Sequence, residues 1–193
     1  LKVNITHAGT DQRNVHVVAR EAAVELGEQK PIAIHHHLLL GLMQPVFTVD
    51  ESGEKVLDVE AAKMSKSKSD SAVYIHDEPE EIKRKVGNAF CPEGEVEFNP
   101  ILDWAKHLIF YHSASQGPAL QIQREAKWGG EITYTSYQDL EKDFAEKKLH
   151  PQDLKNAVAE WLIKKLEPAR SYFADPKRKQ ALEEITTLTS RSR

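Results

Sequence analysis

The chain has 193 residues, room for one ordinary domain or two small ones, and its 40% hydrophobic and 29% charged content indicates a globular protein. Its apolar runs are far shorter than the roughly 20 residues that span a bilayer, and the single cysteine, Cys91, excludes an internal disulfide framework and predicts a reducing, cytoplasmic compartment. The net charge is −4, but the segment 150–193 has nine Lys/Arg against six Asp/Glu, an excess compatible with a polyanionic partner.

The beginning of the chain has the pattern of a strand followed by a helix. Apolar and polar side chains alternate over 1–6, which predicts a half-buried strand, and we interpret 7–10 as the turn that follows it. Thr10 or Asp11 then caps a predicted helix that runs to about Leu26. One face of this helix is apolar, with Val15, Val18, Ala19, Ala22 and Leu26 at helical spacing.

Two further apolar segments, 31–35 and 73–75, are predicted strands. Strand, helix and strand at this spacing indicate an α/β unit with a parallel sheet. The long polar stretch 43–71 lies between these strands, and a structureless segment of that length in a compact domain is usually functional or mobile.

Helical patterns follow, interrupted by two short predicted strands at 119–123 and 131–135. Capping residues and prolines mark where these helices begin, at Asp77 (before Pro79), Asn99, Ser136, His150 and Pro176. We therefore predict two domains: residues 1–77 are α/β, and residues 78–193 are mainly helical.

The run Lys63-Met64-Ser65-Lys66-Ser67 carries the clearest chemical signal. Two ammonium groups three residues apart on a small-residue loop can close around a polyphosphate and stabilise charge that develops on a leaving pyrophosphate. A generic Lys/Ser segment is more often a solvated linker, but the methionine in second place argues against that interpretation.

This string is the KMSKS signature of class I aminoacyl-tRNA synthetases, and further motifs extend the resemblance over nearly the whole chain. The turn Gly9-Thr10-Asp11-Gln12-Arg13 resembles the GG-x-D/E-Q-R turn of tyrosyl-tRNA synthetases of the archaeal and eukaryotic type. Other matching stretches follow in the family's order: 15–21, 34–36, 41–42, 77–100, 128–130 and 150–159. The chain resembles the C-terminal portion of such an enzyme, with the second half of a Rossmann-like parallel-sheet catalytic domain followed by a helical anticodon-binding domain.

The resemblance implies roles for the residues that match the family's motifs. Gln12 corresponds to the glutamine that holds the bound tyrosine. The mobile-loop lysines Lys63 and Lys66 would contact the ATP phosphates and act in catalysis. The remaining positions that would contact ATP are Gly9, Asp11, Met64 and Ser65. Gly9 would permit a sharp turn and close ligand approach, and Asp11 would lie near the ribose. ATP would enter with Mg²⁺ as its complex.

The resemblance also implies a surface for tRNA(Tyr). Arg13 matches the arginine that helps to read the first base pair of the acceptor stem. Trp128 and His150 would stack the first anticodon base between them, and Asp153 would hydrogen-bond it. Without the family pattern, Trp128 would be interpreted as core filling and His150 as a residue that begins a helix.

Two other patterns are rejected as sites. The segment 7–10 faintly resembles the HIGH motif, but it overlaps the Gly9–Arg13 turn, and HIGH lies far upstream of the lysine loop in the family. The triplet His35-His36-His37 suggests a metal, but alternate strand residues face opposite ways, so at most two could share a site. We therefore predict no metal site, and we expect Cys91 to be a buried or incidental thiol.

The predicted function is ATP-dependent attachment of tyrosine to its tRNA through a tyrosyl-adenylate, by a protein that forms a homodimer at full length and has no membrane association. Because the chain has no HIGH motif, we expect these 193 residues alone to be inactive. Two alternatives stay open. One is a tryptophanyl-tRNA synthetase, and the other is a non-catalytic module that binds tRNA.

Overall fold

The computed structural model describes residues 3–64, 68–112 and 120–191. The α/β unit at its beginning contains two parallel strands, β1 (Ile5–Gly9) and β2 (Ile32–His36). A 3₁₀ turn over Thr10–Gln12 and helix α1 (Arg13–Glu25) connect them, as a parallel pair requires. The prediction that 7–10 forms a turn is wrong, because pairing with β2 continues to the end of β1, where Gly9 faces His36.

The predicted apolar face of α1 exists, but it faces solvent. Val15, Val18 and Leu26 are all exposed, as are Ile5 and Ile34 on the two strands. Solvent-facing apolar surface of this extent usually marks a contact surface. Within the described chain, this unit therefore supplies almost no part of the core.

The stretch 43–71 is more ordered than its polar composition suggests. Strand β3 (Phe47–Val49) pairs antiparallel with β4 (Lys55–Leu57), and the short helix α2 (Val59–Ala62) follows. The Asp50 carboxylate closes the hairpin by accepting hydrogen bonds from the backbone N–H groups of Ser52 and Glu54. Composition alone does not predict this hairpin, because the carboxylate of one residue, Asp50, closes its turn.

The predicted strand 73–75 is also wrong. This segment is irregular and leads into a turn, in which the Tyr74 N–H donates to the Asp77 carboxylate at 2.9 Å. Asp77 does not cap the next helix, because its other interaction is with the Lys85 ammonium at 2.7 Å. The N-terminal cap position belongs to Glu78, and helix α3 spans Pro79–Gly87.

The rest of the chain follows the predicted order of elements. The helices are α4 (Pro100–Trp104), α5 (Tyr137–Ala145), α6 (Pro151–Phe173) and α7 (Pro176–Arg191). A π-helical turn (Ala105–Ile109) and a 3₁₀ turn (Phe110–His112) extend α4, and the antiparallel strands β5 (Leu120–Ile122) and β6 (Ile132–Tyr134) precede α5. The predicted caps are confirmed at Asn99, Ser136 and His150, each of which accepts backbone hydrogen bonds from its own helix.

The hydrophobic core lies in the helical part. It is built from α3 to α6, β5 and β6, with fully buried side chains such as Ile82, Ile101, Leu140 and Leu154. Leu42 joins this core from the first part of the chain, where its backbone N–H and C=O bond to Ser71 and Phe90. The division into 1–77 and 78–193 stays a prediction.

Two predictions made from composition concern the burial of Cys91 and the length and polarity of the helices. Cys91 is buried, as expected, and desolvation raises the pKa of its thiol, while a hydrogen bond from Asn99 opposes this effect. Within the described ranges, every helix is too short or too polar to cross a lipid bilayer.

Candidate functional site

The lysine of the KMSKS string that the structure describes lies beside the turn after β1. The Lys63 Nζ is 3.3 Å from Asp11 Oδ2, although 52 residues separate them in the chain. Desolvation would raise the pKa of Asp11, but hydrogen bonds from Lys63 and Gln12 outweigh it and hold that pKa below its ordinary value. Thr10 and Lys63 also line one small cavity of about 160 Å³. The two motifs therefore share one cleft.

Gly9 is needed at the end of β1 for close packing rather than for a turn. Its backbone is extended, with φ −67° and ψ 162°, so the expectation of a sharp turn at this residue is wrong. A Cβ there would lie 2.6 Å from Leu38 Cδ2 and 2.7 Å from Asp11 Oδ1. The missing side chain thus lets the Asp11 carboxylate and Leu38 occupy the space above the strand end.

A second glycine, Gly41, positions the beginning of the lysine loop, and sequence reasoning did not assign it this role. Its N–H donates to the Ala62 carbonyl at 2.7 Å, and Leu40 forms an antiparallel bridge with Lys63. A Cβ on Gly41 would lie 3.1 Å from Ala62 O and 3.2 Å from Lys63 O. A side chain at position 41 would crowd these two carbonyl oxygens, and the glycine thus allows the close backbone approach from which Lys63 emerges.

The structure describes three of the other predicted residues near this cleft, Met64, Gln12 and Arg13. Met64 is half-buried and packs against the hydrophobic core. Gln12 and Arg13 are exposed at the beginning of α1, next to Asp11. Ser65 and Lys66 lie outside the described residues, so their predicted contacts with ATP stay predictions.

The residues predicted to bind the anticodon lie on a separate surface. Trp128 is exposed at the end of a 3₁₀ turn, and Gly129 and Gly130 follow with positive φ values of 95° and 71°. Arg124 donates from Nε to Gly130 O at 2.8 Å and from Nη1 to Lys148 O at 3.0 Å. This guanidinium therefore ties the Trp128 turn to the segment that leads into α6.

Two of the predicted anticodon residues begin α6. His150 is exposed, and its Nδ1 accepts the Gln152 N–H at 3.1 Å, so the helix-start interpretation of this residue is confirmed. Asp153 is half-buried in the first turn of the helix. Arg124, which sequence reasoning missed, is recognisable only from the two carbonyl oxygens that it contacts across the fold.

Comparison with known proteins gives consistent matches. The model of the family of class I tRNA synthetases (W and Y) matches residues 1–167. The tyrosine–tRNA ligase of Thermococcus sibiricus is 55% identical over 181 residues, which cover 89% of this chain and 48% of that protein. The structure of tyrosyl-tRNA synthetase from Pyrococcus horikoshii, complexed with L-tyrosine, is 48% identical with a TM-score of 0.82, and the match covers 96% of this chain and 52% of that one.

A tryptophanyl-tRNA synthetase structure from Aeropyrum pernix provides a contrast. It is 16% identical with a TM-score of 0.60, over 88% of this chain and 40% of that one, so the likeness shows the fold alone. The chain spans about half the length of the relatives it matches. The extent of the family match, together with the cleft formed by Asp11 and Lys63, shows that this chain belongs to the class I tRNA synthetases of the tryptophan and tyrosine type.

Proposed function

We propose that this chain is part of an enzyme that activates tyrosine with ATP and transfers it to tRNA(Tyr) through a tyrosyl-adenylate. The proposal assigns the α/β unit to the second half of a Rossmann-like catalytic domain and the helical part to anticodon binding. The identity of 48% to a solved tyrosyl-tRNA synthetase, against 16% to the solved tryptophan enzyme, supports tyrosine as the substrate.

One observation carries the proposal: the Lys63 ammonium lies 3.3 Å from the Asp11 carboxylate, in a cleft that Thr10 also lines. In the ground state the carboxylate neutralises the lysine. When ATP enters, the phosphates would replace Asp11 as the partner of Lys63 and Lys66, and Asp11 could accept hydrogen bonds from the ribose hydroxyls.

The chemical step then needs positioning and charge stabilisation rather than a protein nucleophile. The tyrosine carboxylate attacks the α-phosphorus, the bond to the β,γ-pyrophosphate breaks, and the lysine ammonium groups stabilise the leaving oxygens. Mg²⁺ enters as part of the ATP substrate, bound to its phosphates. The neutral Gln12 amide would hold tyrosine without introducing a competing charge.

The second surface is assigned to the tRNA. An exposed indole on a turn that Arg124 ties to the segment before α6 suits stacking on an unpaired base, and the imidazole of His150 and the carboxylate of Asp153 would complete the reading of the first anticodon base. Arg13 would contact the acceptor stem. We further propose that the full-length protein acts as a homodimer in the cytoplasm.

The test is ATP–pyrophosphate exchange by the whole protein that contains this chain, with tyrosine and tryptophan compared as substrates. We expect exchange with tyrosine and a loss of more than tenfold in kcat for Lys63→Ala, whereas Lys68→Ala, an exposed lysine five residues away, keeps the rate. Exchange driven by tryptophan would support the tryptophan alternative. tRNA binding without exchange by the whole protein would identify a non-catalytic tRNA-binding module.

A further inference from the structure

Three donor side chains from distant segments converge beside α4. His37 follows β2, Asp103 lies in α4, and His107 lies in the π-helical turn that extends it. The His37 Nε2 is 2.7 Å from Asp103 Oδ1, and His107 Nε2 is 3.7 Å from the same oxygen. The three donor atoms all lie within 4.8 Å of one another.

We propose that His37, Asp103 and His107 form a site for a divalent transition-metal ion, with zinc as the best fit. Two imidazoles and one carboxylate suit zinc and its neighbours, whereas magnesium and calcium prefer oxygen ligands. A tetrahedral zinc ion with bonds of about 2.0–2.1 Å places its donors about 3.3 Å apart. Side-chain rotations that move the donor atoms by about 1 Å would bring the three donors to that spacing.

The carboxylate is already oriented for this role. Its Oδ1 faces the imidazoles, while Oδ2 accepts the Leu40 N–H at 3.0 Å. The Leu40 carbonyl in turn accepts from the Trp104 indole at 2.7 Å. Partners of this kind fix the orientation of a metal ligand. The side chain of Asp103 is only 12% exposed, so little movement is open to it.

The local helix geometry also favours the site. Asp103 and His107 are four residues apart, so they lie on one face of the helix. The turn that carries His107 is π-helical. This conformation is rare in proteins, and where it is found it often lies at a functional site. The rings of His37 and His107 stack with centroids 3.8 Å apart at an angle of 18°, so one ring must rotate out of the stack before both nitrogens can point at the same ion.

The cavity beside the three side chains leaves room for a further ligand. All three ligands line a cavity of about 380 Å³, so a water molecule or a small anion could occupy the fourth coordination position.

The proposed site departs from the expectation, drawn from the histidine triplet, that no metal site is present. As the strand alternation predicts, His35 and His36 form separate pairs. The His35 Nε2 lies 3.0 Å from His16 Nδ1, and the His36 Nδ1 lies 3.1 Å from His7 Nε2. His37 follows the strand, and its partners come from 66 or more residues further along the chain. A metal site assembled over that separation has no local sequence signature.

The experiment titrates the metal-free protein with Co²⁺, followed by visible absorption, and with Zn²⁺, followed by calorimetry. We expect one ion per chain at this site, with affinity reduced on the order of 100-fold or more by His107→Gln, since even the loss of a ligand-orienting partner costs about 10–100-fold. His36→Gln is the matched control, because it removes an imidazole from a neighbouring histidine pair and leaves the proposed site complete.

Two further measurements make the result decisive. Zn²⁺ should raise the melting temperature of the protein, and His107→Gln should abolish this rise. His37→Gln, a substitution at a more exposed ligand, provides a second test if His107→Gln melts early in EDTA. Absence of binding, retention of affinity in both ligand variants, or loss of affinity in His36→Gln alone would overturn the proposal.

Discussion

The buried ion pair between Lys85 and Asp77 permits a sharp test of what stabilises the helical part. Lys85 projects from α3, and its ammonium lies 2.7 Å from Asp77 Oδ2 and 4.5 Å from the centre of the Tyr74 ring. The side chains of Lys85 and Asp77 are 2% and 9% exposed. We expect Lys85→Met to keep the packing volume of the side chain and to remove only its charge.

The low exposure of the Lys85 and Asp77 side chains sets the size of the expected destabilisation. In Lys85→Met the Asp77 carboxylate would remain buried, with the Tyr74 N–H at 2.9 Å as its remaining described hydrogen bond. An uncompensated buried charge of this kind destabilises a protein by about 3–5 kcal/mol. That is a large fraction of the roughly 5–15 kcal/mol by which a whole protein is stable.

The assay is urea unfolding at pH 7, with the midpoint and slope fitted separately. Lys83→Met is the control: Lys83 lies on the same helix and pairs with Glu160, but these side chains are 57% and 64% exposed, so the midpoint should stay the same within error. The double variant Asp77→Asn/Lys85→Met should regain most of the loss, because the amide can still accept the Tyr74 N–H. A midpoint for Lys85→Met equal to that of Lys83→Met would refute the reasoning.

Three further predictions test other contacts, the first with a matched control. Gly9→Ala should destabilise the protein by about 1–3 kcal/mol in urea unfolding, because its Cβ would lie 2.6 Å from Leu38 Cδ2. The control Gly87→Ala meets open space at the end of α3 and should be neutral or stabilising in the same assay. Asn99→Ala removes the buried cap of α4 and should cost about 1–2 kcal/mol in urea unfolding. Trp128→Ala should weaken tRNA binding by about 1–3 kcal/mol with an unchanged melting temperature; an equal loss of stability would instead indicate a packing role.

The elements that could be predicted from the sequence are those whose signals are local. Asn99, Ser136 and His150 each bond to backbone N–H groups two or three residues ahead, so the cap and the helix that it begins are adjacent in the chain. Nearby glycines likewise delimit the strands β5 and β6.

The wrong predictions concern segments whose structure depends on contacts that residue types do not reveal. Because glycine favours turns, the sequence predicts a turn at Gly9, but pairing with His36 extends the strand through it. The segment 73–75 has strand-like composition, yet the Tyr74 N–H bonds to Asp77 instead of to another strand. The first conformation depends on pairing with a distant strand and the second on a side chain three residues ahead, and composition alone indicates neither.

The candidate site combines both kinds of signal. The sequence motifs identify Lys63 and Asp11 as site residues. They do not show how the two are brought together, because Gly41 acts through backbone contacts with a segment about 20 residues away. The two sides of the cleft also differ in their attachment. The lysine loop is anchored near Leu42, which belongs to the core, whereas Asp11 follows a strand pair whose apolar faces are exposed. Lys63 is therefore held by a segment that joins the core, and Asp11 by the β1–β2 pair, which contributes almost nothing to that core.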